Sequence, residues 1–118
     1  MTVLLVSAAL FWPADSTAYC LVGTMADGSW TRAGSVAHNG LSLGTKITVR
    51  PAVLGRRRWT VRDRIGWGTE LDFWMPSCAQ AIAYGRRTSW MRVGWRPYRA
   101  RWKPHRVVFQ RHKMERLP

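Results

Sequence analysis

The sequence has little negative charge. Only 6 of its 118 residues are Asp or Glu, against 19 Lys and Arg, which gives a formal net charge of +13. A chain with this balance attracts polyanions, so nucleic acid, anionic membrane surfaces and the acidic polymers of bacterial cell walls are the partner classes to consider. Because the acids are so few, a carboxyl group inside a predicted strand becomes a candidate for chemistry.

Cysteine and histidine are also scarce. The two cysteines, Cys20 and Cys78, include no CxxC pair, and two of the three histidines lie in the last fifteen residues, far from the aspartates. The sequence therefore predicts no metal site and no cofactor. The two cysteines form one disulfide if the compartment is oxidising, or two buried thiols in the cytosol.

No long hydrophobic run is present either. The longest apolar stretch, residues 3–12, has about ten residues and is too short to span a bilayer as a helix, so we expect no stable membrane insertion. Residues 1–15 are interpreted as an apolar leader, either a signal peptide cleaved near residues 14–16 or a core strand or helix. The first alternative predicts a secreted, periplasmic or cell-envelope protein.

What the sequence does contain is a series of short β-prone segments. Turn residues separate them, and one segment, residues 76–85, begins with Pro and ends with Gly as short helices do. Many short strands with one brief helix predict a small β-barrel. We place the barrel at residues 16–93 and a basic, aromatic tail at residues 94–118. The predicted strands are 16–23, 45–50, 57–63, 70–74 and 88–93.

Two aspartates lie within predicted strands. In RWTVRD, strict alternation puts Asp63 on the apolar face with Trp59 and Val61. Asp72 lies similarly within LDFW. A carboxylate in such a place must be paired or held for a purpose, so each aspartate is either part of a buried salt bridge or turn cap, or a catalytic group.

Several motifs follow one another in a known order: TAYC, then AHNGLSLGT around His38, then VRDRIG, ELDF and CAQAIAYG. Together they resemble the double-psi β-barrel of rare-lipoprotein-A and expansin-like proteins, and the related three-aspartate domain of lytic transglycosylases. The resemblance covers residues 16–93 and implies a small six-stranded double-psi β-barrel, mainly β, with one short helix and a basic C-terminal extension.

The resemblance also implies roles for individual residues. The acid of the family's Asp-Arg-Gly element falls on Asp63, its strand aspartate on Asp72, and its histidine on His38. Asp27 lies near the position of a further family acid. The proline that usually follows the Asp-Arg-Gly element is missing, and Ile65 comes between this element and its glycine.

The function implied is cleavage of peptidoglycan glycan strands, most simply by a lytic transglycosylase. Such an enzyme needs one carboxyl that first protonates the leaving oxygen and then accepts the proton of the sugar's own 6-hydroxyl. The resemblance implies Asp63 for this role, with Asp72 giving electrostatic support and His38 a positioning role. Burial must raise the pKa of an aspartate for it to remain an acid near neutral pH. We expect a monomer that binds peptidoglycan or another anionic wall polysaccharide. The expected substrate contacts are Asp27, Arg64, Trp67 and Trp74.

Two alternatives remain open at this point. The same barrel can serve as a non-catalytic, expansin-like wall-binding module, which would release no soluble product. The tail offers a third function, nucleic-acid binding, because its arginines and lysines alternate with Tyr98, Trp102 and Phe109.

Overall fold

The chain folds into strands joined by short loops. The computed structural model describes residues 11–66 and 68–97, and the predictions for residues 1–10, Trp67 and 98–118 lie outside them. Within the described residues there are six strands and one helix, so the prediction of a mainly β fold is confirmed. The elements are β1 (Trp12–Tyr19), β2 (Ser35–Ala37), β3 (Lys46–Val53), β4 (Arg56–Asp63), β5 (Leu71–Trp74), α1 (Cys78–Tyr84) and β6 (Arg87–Trp95).

The six strands form a closed barrel in the order β1-β5-β2-β4-β3-β6. Two neighbouring pairs, β1 with β5 and β2 with β4, are parallel, and the other four pairs are antiparallel. Closure leaves no sheet edge with unpaired backbone groups. This closed, mixed barrel confirms the predicted architecture and is compatible with a double-psi topology.

Alternate side chains of the strands fill the barrel. The ring of Phe73 lies 4.8 Å from that of Trp59 and 5.8 Å from that of Tyr84, with the edge of one ring towards the face of the other in both pairs. Ile47 and Val61 are also fully buried around them. The period of two seen in β3, β4 and β5 therefore does mark the core-facing side, as expected for strands with one face buried.

The helix α1 begins and ends where its sequence indicates. Ser77 is its N-cap and forms a reciprocal capping box with Gln80, and Gly85 follows its last residue with a positive φ of 66°. The first helical residue, Cys78, is joined by a disulfide to Cys20, just after β1. The bridge therefore ties the start of the helix to the end of the first strand.

The structure differs from the sequence prediction at both ends of the barrel and in one further strand. Strand β6 runs to Trp95, two residues past the predicted end of the barrel at residue 93. Strand β1 begins at Trp12, so residues 12–15 form part of the barrel, as the core-strand alternative for residues 1–15 allowed: Ala14 is buried and pairs with Ser89 of β6. The start of β1 was missed because its inward-facing residues are small and the apolar run before it hides its alternation. Strand β2 was not predicted, because three residues are too few to show alternation.

The described part of the chain has no helix with the length and apolarity that crossing a bilayer requires.

Candidate functional site

A register shift between β2 and β4 positions Asp63. Val36 of β2 pairs with Val61 of β4, but the next residue, Ala37, pairs with Asp63 and skips Arg62. The extra residue is a β-bulge, which re-aims the side chains that follow it. Val36 and Val61 both point into the core. Asp63 therefore joins Ala37 on the outer side of the barrel, and the prediction that it shares the inner face of Val61 is wrong.

Asp72 lies on the other side of the same alanine. Ala37 pairs with Asp72 of β5, and Asp72 pairs in turn with Thr17 of β1. Side chains at paired positions project from the same face of a sheet. Thr17, Asp72, Ala37 and Asp63 thus form a row across four strands, which we call the acid row. The two aspartates are two strands apart, roughly 10 Å between their backbones, and only a methyl group stands between them.

Asp63 is held by three hydrogen bonds. The Tyr19 hydroxyl donates to its Oδ2 at 2.9 Å, and the backbone N–H groups of Ala26 and Arg64 donate to its Oδ1 at 3.0 and 2.9 Å. Within the described residues Asp63 forms no ion pair with an arginine. Both carboxylate oxygens are therefore used as acceptors, which fixes the position of Asp63 and suits it to a supporting role.

Asp72 has fewer partners. Its Oδ1 accepts one hydrogen bond, of 2.9 Å, from the Thr17 hydroxyl. Burial raises the pKa of the Asp72 carboxyl above its usual value, the Thr17 hydrogen bond lowers it, and the nearby charge of Asp63 raises it. Asp72 therefore keeps its proton to a higher pH than an ordinary aspartate does.

Tyr19 and the loop that follows it cover the acid row. Burial raises the pKa of the Tyr19 phenol far above its usual value, and the charge of Asp63 raises it further, so Tyr19 stays protonated and donates. In the loop, the N–H of Asp27 donates to the carbonyl of Arg62 at the bulge. The Asp27 carboxylate itself accepts from the N–H and hydroxyl of Ser29.

His38 lies one residue beyond β2. Its backbone N–H donates to the carbonyl of Asp63, and its Nδ1 accepts from the N–H groups of Gly40 and Leu41 at 2.9 and 3.1 Å. Burial lowers the pKa of His38, and the positive charge of Arg64 lowers it too, against a smaller opposing effect of Glu70. A neutral imidazole with Nδ1 as acceptor carries its proton on Nε2, so His38 offers a donor.

The remaining residues predicted to contact substrate lie in different places in the structure. Asp27 lies in the covering loop beside the acid row, as described above. Arg64 donates from Nη1 to the carbonyls of His38 and Leu41, so it supports the histidine turn. Trp74 is only 8% exposed and donates its indole N–H to the carbonyl of Leu21. Its ring is packed against protein, and the prediction that it stacks on sugar is wrong.

Sequence reasoning missed several groups of the site. Tyr19 and Thr17 belong to the TAYC segment and share one face of β1 by alternation, which was the available signal. Ala26 contacts Asp63 through its backbone N–H, so its residue type gives no indication of this role. The bond from Tyr19 to Asp63 joins residues 44 positions apart, and no local pattern predicts such a pair.

Two further observations define the limits of the site. A cavity of about 280 Å³ lies at the other end of the barrel, between the β3–β4 turn and α1, and no acidic residue lines it. Among residues 11–66 and 68–97, no three His, Cys, Asp or Glu side chains converge as metal ligands would.

No family model matches this sequence, and comparison with curated proteins and with solved structures gives no match either.

Proposed function

We propose that this barrel cleaves the glycan strands of peptidoglycan as a lytic transglycosylase, with Asp72 as the single acid and base. The observation that carries the proposal is the acid row, in which a bulge brings Asp63 to the outer face opposite Asp72. Sequence alone favoured Asp63 as the acid. Asp72 takes that role here because burial raises its pKa, whereas both Asp63 oxygens accept hydrogen bonds.

The chemistry needs one proton that moves in a cycle. Protonated Asp72 donates to the glycosidic oxygen as the bond from that oxygen to the sugar C1 breaks. The resulting Asp72 carboxylate then accepts the proton of the 6-hydroxyl of the same sugar, whose O6 attacks C1 to form an anhydro ring. Asp72 ends protonated, as it began, and no water is consumed.

The other groups of the site support this cycle. The charge of Asp63 lies where it raises the pKa of Asp72 and stabilises positive charge that develops on the sugar ring. The Nε2–H of His38 donates to a sugar hydroxyl, because Nδ1 is occupied by Gly40 and Leu41. Asp27, in the covering loop next to the bulge, is the proposed further contact for the glycan.

Kinship with the rare-lipoprotein-A and three-aspartate barrels is part of the proposal. It is supported by the order of the sequence motifs and by a closed barrel compatible with a double-psi topology. The Cys20–Cys78 disulfide supports a place outside the cytoplasm, in the cell envelope or beyond it, because structural disulfides persist in oxidising compartments.

The test is digestion of purified peptidoglycan followed by mass spectrometry of the soluble products. We expect anhydro-muropeptides from the wild type and a loss of about 100-fold or more with Asp72→Asn. Asp63→Asn should lose less, since it removes a supporting charge. The matched control is Asp15→Asn, an exposed aspartate that pairs with Arg86.

Other products would contradict the proposal. Reducing ends would indicate hydrolysis by water. An absence of soluble product while the protein still binds the wall would indicate an expansin-like module, and full activity of Asp72→Asn would exclude that residue as the acid.

A further inference from the structure

The outer face of β3 carries cations in a regular pattern. Ile47 and Val49 point into the core, so Lys46, Thr48 and Arg50 point outwards. Thr48 pairs with Arg58 of β4 on one side and Arg92 of β6 on the other. Two guanidinium groups therefore flank one small side chain, on strands roughly 10 Å apart.

Aromatic rings lie between these cations. Trp90 of β6 pairs with Arg50 and is 47% exposed. A second register shift follows: Ile47 pairs with Val93, but Lys46 pairs with Trp95, so Gly94 is the extra residue. Trp95 therefore joins Lys46 on the outside and is 57% exposed.

The face has no negative charge of its own. Strands β3 and β6 contain no Asp or Glu, and the one acid of β4 is Asp63 in the acid row. In the described part of the chain the one ion pair joins Arg86 to Asp15, which lies on β1 at the border of this face and pairs with Thr88 of β6. The ring of Phe11 lies under the guanidinium groups of Arg50 and Arg92, at 4.1 and 5.0 Å from their carbons. We call this surface the basic face, made of Lys46, Arg50, Arg58, Arg92, Trp90 and Trp95.

We propose that the basic face is a second binding surface, for a linear wall polymer that carries phosphate along its chain. Guanidinium forks match phosphate oxygens, and the exposed indoles offer flat apolar surfaces to the sugar or polyol units between the charges. Nucleic acid shares this chemistry, but the disulfide favours a polyanion found outside the cytoplasm. The proposal goes beyond glycan cleavage, since it needs neither Asp63 nor Asp72.

The experiment measures sedimentation of the full-length protein with purified Gram-positive walls across a salt series. The same walls treated with hydrofluoric acid, which removes phosphodiester polymers and leaves peptidoglycan, are the second ligand. We expect Arg58→Gln/Arg92→Gln to weaken binding to intact walls about tenfold, and Trp90→Ala/Trp95→Ala about fivefold, at moderate salt. Treated walls should bind the wild type weakly.

The controls separate this surface from general charge and from catalysis. Arg32→Gln/Arg86→Gln removes the same charge elsewhere and should change binding by no more than about twofold. Asp72→Asn should bind walls as the wild type does, so a failure of cleavage and a failure of binding are distinguished. Circular dichroism checks that each variant is folded. If the arginine double variant does not fold, wall binding by the tryptophan double variant tests the proposal instead.

Three outcomes would overturn the proposal. Equal losses in the two arginine pairs would mean that only net charge matters. Equal binding to treated and untreated walls would mean that phosphate is not recognised. Tighter binding to a single-stranded DNA oligonucleotide than to walls, with the same loss in the face variants, would assign the surface to nucleic acid.

Discussion

The acid row and the basic face each contain a β-bulge, but the side chains that the two bulges turn outwards differ in kind. In each, one extra residue in a strand turns the following side chain from the core to the outside: Arg62 does this for Asp63, and Gly94 for Trp95. The acid row then lies beneath Tyr19 and the loop after it, whereas among the described residues Trp90 and Trp95 of the basic face remain 47% and 57% exposed. The difference lies in what covers each surface.

The loop that covers the acid row gives its carboxyl groups an environment different from that of the arginines on the basic face. Under the loop the Asp72 carboxyl is half-buried, so burial raises its pKa, which an acid group requires. On the basic face the outward guanidinium groups can attract polyanions over about a Debye length. One barrel would thereby carry both the proposed site for proton transfer and the proposed surface for attachment.

The largest expected effect comes from removing the bridge that anchors the cover. The disulfide joins residues 58 positions apart, so Cys20→Ser/Cys78→Ser should lower the free energy of unfolding by about 4 kcal/mol in the chain-entropy model. Urea unfolding measures this loss. Ser77→Ala, which removes only the helix cap, should cost about 1 kcal/mol. Wall binding by the double variant below its melting temperature should remain, because the basic face is on other strands.

Tyr19→Phe tests the contact between cover and acid row. A hydrogen bond to a charged acceptor contributes about 1.5–3 kcal/mol, and the phenol of Tyr19 is the one side-chain donor to Asp63 in the described residues. We expect the variant to unfold at lower urea and to lose glycan release. The control, Tyr84→Phe, removes a phenol from a neutral cluster with Ser16 and Ser89 and should cost about 1 kcal/mol. A smaller loss at Tyr19 than at Tyr84 would mean that Asp63 is not held as described.

Asp72→Asn should raise the melting temperature by a few degrees at neutral pH. The folded-state pKa of Asp72 is raised, so its contribution to stability is present below the usual Asp range and is lost as pH rises through the raised value. Asn imitates the protonated form of Asp72. The wild type and the variant should therefore have the same melting temperature at acid pH, and the difference between their melting temperatures should grow as pH increases. Adding Thr17→Val to both, which removes the hydrogen bond that lowers this pKa, should enlarge the difference and let it grow to higher pH.

The smallest effect is a shift in the pH dependence of cleavage. Glycan release requires protonated Asp72 and should fall as pH rises through its pKa. Asp63→Asn removes a neighbouring negative charge and lowers that pKa, so the alkaline fall should move to lower pH. The measurement is the initial rate of anhydro-product release against pH. An unchanged position of the fall would mean that the two carboxyl groups do not interact.

Local sequence patterns account for much of the fold. The alternation around Trp59 and Val61, the Pro and Gly that bound the helical segment and the short β-prone segments all predicted what the structure contains, because these signals act over a few residues. The sequence left open whether Cys20 and Cys78 form a disulfide or remain thiols. They form a disulfide because the end of β1 lies beside the start of α1.

The site could be predicted only in part. Asp63, Asp72 and His38 were identified from their residue types and motifs, but the outward position of Asp63 depends on a register shift against a strand about 26 residues earlier in the chain. Pairing across that distance is set by barrel closure and not by local alternation. For the same reason Trp95 was assigned to a tail, although it belongs to β6 and to the basic face.

Strand β1 borders both surfaces. Its Pro13 pairs with Trp90 beside the basic face, and its Thr17 pairs with Asp72. Four residues of one extended strand separate these positions, about 13 Å. A phosphate polymer of the wall held at the basic face, as proposed, would therefore keep the acid row within a short strand length of the wall, on a neighbouring face of the same barrel.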